Sequence, residues 1–146
     1  MKTLTIITGA NRGLGKALLD WAKAQSHSTI CFSRQIHSMA AVPDSAHLEI
    51  MVDLADKKTY QGKMIQALGT THPKGFERII FFNNAAMIEP ISPISSLPAE
   101  GVERAIQVNL TAPIHFCQEL LQSCQDFTGK LWIVNISSAA AYRPIP

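Results

Sequence analysis

"TGANRGLG", Thr8 to Gly15, decides how the rest of the chain is read. It follows "LTIIT", a short β-branched run with the character of a buried strand, and leads into Leu14, Ala17, Leu18, Trp21 and Ala22, which recur at helical spacing. A glycine cluster between a strand and a helix is the setting in which such a pattern binds phosphate. Gly9 permits the tight turn, Gly13 lets the backbone approach a diphosphate, and Gly15 lets the helix pack closely on the strand. Asn11, Arg12 and Leu14 are the other candidate contacts in the loop, and the N–H groups that open the helix face the anion. An ordinary turn is the plain alternative. The rival nucleotide is S-adenosylmethionine, whose sites place acidic residues before the glycines and after the second strand. Here those places hold Thr8 and "FSR".

Outward from this loop, strand-like runs lie at Leu4 to Thr8, Thr29 to Ser33, His47 to Val52, Arg78 to Asn83 and Leu131 to Ile136. Several are apolar without alternation, as in a parallel sheet covered on both faces. Tyr60, Met64 and Leu68 mark a second amphipathic crossover helix. A long helix is expected from about Ala99 to Cys124, with Val102, Ile106, Asn109, Pro113, Cys117, Leu120 and Cys124 along one apolar stripe. Ser33 to Ala46 has room for a short helix around Ile36 to Ala41, and Met87 to Pro98, with its prolines, is a loop.

Right-handed crossovers then give an α/β, Rossmann-type doubly wound parallel sheet in the order 3-2-1-4-5, with ligand at the switch between the first and fourth strands. The fifth strand carries no charge or proline to protect an open edge from Leu131 to Val134, so a further strand is expected beside it and the sheet reads as incomplete on that side.

With 146 residues, 47% hydrophobic and 16% charged, the chain forms one domain over residues 1 to 146. A formal charge of +2, with scattered Lys and Arg, implies neither nucleic acid nor a membrane surface as a partner. Cys31, Cys117 and Cys124 have no metal-ligand spacing and read as packed free thiols in a reducing cytoplasm; no metal is expected. The apolar run in "MKTLTIITGA" is too short for a signal peptide, and none reaches the roughly 20 residues of a membrane span.

The spacing Thr-Gly-x-x-x-Gly-x-Gly resembles the short-chain dehydrogenase/reductase family, and four later motifs agree in order: "VDLAD" (Asp53, Leu54), "NNAA" (Asn83 to Ala86), "VNLTAP" (Asn109) and "VNISS" (Ser137, Ser138). The resemblance implies an adenine contact at Asp53 and Leu54 and cofactor contacts at Asn84 and Ala85. Ala86 stands where the family has glycine and would crowd the pocket slightly. Asp53 also reads as a helix-capping residue ahead of Lys57.

Cofactor choice follows from charge. A carboxylate after the second strand would accept from a ribose 2′-hydroxyl and repel a 2′-phosphate. Ser33 and Arg34 stand there instead, and with Arg12 in the loop two guanidiniums can clamp a 2′-phosphate, which predicts NADPH over NADH. Solvated surface charge is the plain reading of each arginine alone.

The resemblance further implies hydride transfer from NADP(H) to a ketone or aldehyde. Ser138 would hydrogen-bond the substrate oxygen, and Asn109 would anchor a water at the end of a proton relay. Ser137 and Ser138 as strand-end caps and Asn109 as a core asparagine are the plain readings. Pro113, four residues after Asn109, has no N–H for the Asn109 carbonyl, so a bend is expected there.

Family members place a tyrosine about a dozen residues after the serine and a lysine four beyond it. Tyr142 follows Ser138 by only four residues, and Pro146 stands four further on, so this stretch is expected to be the amino-terminal portion of a longer reductase and to be inactive alone. A catalytically incomplete NADP(H)-binding or sensing protein is the alternative. "AAAYRPIP" resembles the sepiapterin-reductase and benzil-reductase branch, suggesting a bulky dicarbonyl or pterin-like substrate. Homo-oligomerisation is expected through the helix at 99 to 124.

Overall fold

A computed structural model describes residues 1–35 and 47–139. The short helix expected around Ile36 to Ala41, together with Tyr142 and Pro146, lies outside the described residues. Five parallel strands form one sheet in the order β3-β2-β1-β4-β5: β1 (Thr3–Thr8), β2 (Ser28–Ser33), β3 (His47–Met51), β4 (Arg78–Asn83) and β5 (Lys130–Asn135). Every residue of β1 and β2 is buried, as a strand sandwiched between two helical layers requires. Strand β5 lies at an edge, and Trp132 on it is half exposed beneath the Arg78 guanidinium, 5.3 Å from the ring centroid. Among the described residues no helix is long and apolar enough to cross a membrane.

On one face α1 (Gly13–Ala24) packs Leu19 and Ala22 against the sheet near Ile7 and Cys31. On the other, α3 (Lys63–Thr71) and α5 (Ala112–Ser123) cover Leu4, Ile6, Phe32 and Phe81. Phe116 of α5 is the pivot of that larger core, edge-on to Phe32 at 4.8 Å between centroids.

The crossover after β3 is two helices rather than one. Helix α2 (Lys57–Tyr60) ends before Gly62, whose φ of +76° is the left-handed region that favours glycine, and α3 starts anew. No side chain of its own caps α3. Glu119 reaches across from α5, accepting from the N–H groups of Gly62 (2.7 Å) and Met64 (3.1 Å).

The long helix also departs from its expected form. Helix α4 (Ala99–Ile106) passes into a π-helical turn over Gln107–Thr111 and then into α5. The N–H of Ala112 reaches back to the Gln107 carbonyl, five residues away, and Pro113 follows where an N–H is missing. This wide turn rotates the buried face. Val108, Ala112, Phe116 and Leu120 are buried, whereas Ile106 and Asn109 of the expected stripe are exposed.

Beneath α1, His27 is buried with Nδ1 2.9 Å from the Thr5 hydroxyl and its ring edge-on to Trp21. Burial, reinforced by the Arg78 charge, holds its pKa below the ordinary imidazole value. A base whose pKa is lowered by folding takes up protons more readily when unfolded, so stability falls as pH drops below about 6.5. Denaturant melts between pH 7.5 and 5 should therefore lose less stability in His27→Gln than in the wild type; equal losses would exclude His27 as a source of the acid sensitivity.

Candidate functional site

The site is built where β1 and β4 end side by side. The Thr8 hydroxyl accepts the backbone N–H groups of Asn84 (3.0 Å) and Ala85 (3.1 Å), while the Asn84 side-chain amide donates to the carbonyls of Thr8 (3.0 Å) and Gly9 (3.3 Å). Gly9, at φ +73°, donates its N–H to the Phe32 carbonyl at 2.7 Å, which fastens the loop to β2 as well. The two glycines that face this clamp are sterically required. A Cβ on Gly15 would overlap the Gly9 carbonyl and the Asn84 amide, and one on Gly9 would stand 3.0 Å from the Ala85 Cβ. It is Ala85, not the exposed Ala86, that presses on the loop.

Gly13 differs. Its φ is +55°, and nothing lies within 4 Å of where a Cβ would be, so the backbone here is open rather than packed. Helix α1 begins directly beyond. Arg12 occupies its N-cap with extended backbone and makes no side-chain cap, and no acidic residue stands in the first turn. The opening N–H groups thus have no capping side chain of their own, next to an open glycine, and this fits a diphosphate-bearing dinucleotide.

Asn11 and Ser33 line one cleft of about 220 Å³ between α1 and the ends of β2 and β3. Ser33 donates its hydroxyl to the Gln35 carbonyl at 2.6 Å. Arg12, Leu14 and Arg34 are exposed, and neither arginine has an ion-pair partner among the described residues. Asp53 closes a local turn: its carboxylate accepts from the Ala55 N–H at 3.0 Å, and its backbone is bracketed by the Thr59 hydroxyl. The capping reading of Asp53 moves to Asp56, which accepts from the Lys58 N–H at the start of α2. Leu54 is buried in the core.

Asn109 is not a core asparagine. From the π-helical turn it binds both backbone groups of Met87, Oδ1 accepting from the N–H at 2.8 Å and Nδ2 donating to the carbonyl at 2.7 Å. Asn83 links the neighbouring strands, its amide donating to Asn135 Oδ1 at 2.9 Å. Ser137 and Ser138 are exposed just after β5, whose path is extended beside β4 by the Ile136 N–H bonding to the Asn83 carbonyl. The structure thus joins Gly9, Gly15, Asn84 and Ala85 in direct contact and ties Asn109 to the same β4 exit. Thr8 and Asn83 belong to motifs quoted above but carry no assigned role there, and nothing in the sequence marks Met87.

A family model described as short chain dehydrogenase matches residues 3–146. The chain is similar to a benzil reductase ((S)-benzoin forming) of Bacillus subtilis, 30% identical over 141 residues, covering 97% of this chain and 57% of the relative. It is also similar to the sepiapterin reductase of Bos taurus, at 26% identity over 98% of this chain and 59% of the relative. Among solved structures, a short-chain dehydrogenase/reductase from Burkholderia vietnamiensis superposes with a TM-score of 0.87 at 25% identity, covering 99% of this chain and 69% of that one. The chain spans between two-fifths and three-fifths of the length of these curated relatives and others that it matches.

Two glycine substitutions separate packing from openness. Gly15→Ala is expected to cost about 3 kcal/mol, because backbone must move to admit the methyl group. Gly13→Ala should cost only about 1–2 kcal/mol of left-handed strain. Urea denaturation of both variants checks the order, and equal losses would contradict the packing assigned to Gly15.

Proposed function

The chain belongs to the short-chain dehydrogenase family, and from that premise we propose that the protein is an NADPH-dependent carbonyl reductase. The observation that carries this reading is the open glycine at the uncapped start of α1, held rigidly by the Thr8 and Asn84 clamp. Gly9, Asn11, Gly13, Leu14 and Gly15 cradle the diphosphate. Asp53, Leu54, Asn84 and Ala85 flank the adenine and the path toward the nicotinamide. Bound there, the reduced cofactor supplies a hydride to a ketone or aldehyde carbon.

The chain's own residues orient that event. Ser138 donates its hydroxyl to the substrate carbonyl oxygen, stabilising the charge that develops on it. Asn109 spends its side-chain amide on Met87 and so fixes the β4 exit, while the π-helical turn and the missing N–H of Pro113 leave carbonyl acceptors able to hold a water for proton return. The similarity to benzil and sepiapterin reductases favours a bulky dicarbonyl or pterin-like substrate. Exposed Ile106, Leu110 and Ile114, four residues apart along the α4–α5 helix, favour a homo-oligomer formed through that helix. Three free cysteines suit a cytoplasmic setting.

NADPH is preferred to NADH because Arg12 and Arg34 are exposed and unpaired among the described residues, ready for a 2′-phosphate. Loss of one charge-assisted contact is worth roughly tenfold in affinity. Arg34→Ala should weaken NADPH by about that factor and leave NADH within about twofold. Titration by nicotinamide fluorescence measures both, and an equal loss for the two cofactors would refute the assignment.

A further inference from the structure

Along β3 two polar residues, His47 and Glu49, alternate with Leu48 and Ile50, so they share the face that looks toward α1 with Cys31 and Ser33 of the neighbouring strand. They form a chain of contacts. The Thr29 hydroxyl pairs with His47 Nδ1, and His47 Nε2 lies 3.1 Å from Glu49 Oε1. The second carboxylate oxygen, Oε2, is buried and has no hydrogen-bond partner among the described residues. Glu49 nevertheless lines the 220 Å³ cleft, together with Asn11 of the diphosphate cradle and Ser33, which stands after β2 where the ribose 2′ group is read.

Among the described residues Lys16 is the one cation lining the cleft, and its ammonium is 2.6 Å from Asp20, on the same wall. The influence of Glu49 on its neighbours is visible at Cys31, opposite it in the strand register. The Cys31 thiol is pushed up to about 12, first by burial and then by the Glu49 charge, with Lys23 pulling the other way.

We propose that Glu49 is a selectivity-determining residue of the dinucleotide site: from the cleft wall it opposes a phosphate on the adenosine 2′ oxygen, counteracting the exposed Arg12 and Arg34. The proposal rests on the dinucleotide reading above. Because Oε2 is inaccessible, Glu49 acts through its charge and not as a direct ligand. His47 holds the carboxylate in place by its other oxygen, so the repulsion is built into the fold rather than left to a mobile side chain.

Glu49→Gln removes the charge and keeps an oxygen for His47. Calorimetric titrations of the full chain with NADPH, NADH, adenosine 2′,5′-bisphosphate and 5′-AMP compare ligands with and without the 2′-phosphate. Both 2′-phosphorylated probes should bind about fivefold tighter to the variant, and the other two should stay within about twofold. Glu49→Leu should shift the ratio in the same direction, and thermal melts by circular dichroism verify that each variant is folded. An unchanged ratio, or a parallel change for all four probes, overturns the role of Glu49 while leaving the cofactor reading intact. Failure of every probe to bind the folded wild type overturns both.

Discussion

One hydroxyl group holds together the edge of this molecule where β1 and β4 end. Thr8 is the last residue of the central strand, and its oxygen accepts two consecutive backbone N–H groups from the exit of β4. Those donors would otherwise be unpaired where two parallel strands diverge, at a cost of about 1–3 kcal/mol each. Asn84 returns the contact from the other side, to the carbonyls of Thr8 and Gly9. The divergence point is therefore closed by side chains rather than by further sheet pairing. The glycine loop can be open at Gly13 only because it is fixed on either side of that residue, by Gly9 on β2 and by Gly15 against Asn84.

Much of this was legible in the sequence because the determinants were local. Arg78 to Asn83 reads as a buried strand and is one, with no shift at either end, since the four consecutive apolar, β-favouring residues Ile79 to Phe82 leave a helix no polar face. The strand order followed from right-handed crossovers between apolar runs separated by helix-like or loop segments. The glycine spacing pointed to the tight approach at Gly15, and that approach is real.

What was not legible depends on distant partners. The expected stripe from Val102 to Cys124 assumed a uniform period of 3.6, and the π-helical turn at Gln107 adds a residue to one turn and rotates the face. Asn109 leaves the core for that reason and meets Met87, a contact between segments 22 residues apart that periodicity cannot foresee. In the sequence Glu49 is one residue of a strand-like run, with no ligand role marked. The alternation of His47 and Glu49 with Leu48 and Ile50 was present, but its meaning required the cleft, which only the docking of α1 creates.

The capping of α3 by Glu119 bears on how the molecule assembles. A nine-residue helix is too short to persist alone in water, and this one starts behind a glycine with no cap within its own segment. Its first N–H groups are satisfied by a carboxylate 55 and 57 residues further along the chain. Segment 63–71 thus gains its order in the same step that seats α5 on the sheet, so the two helices melt and form as a single cooperative unit on that face.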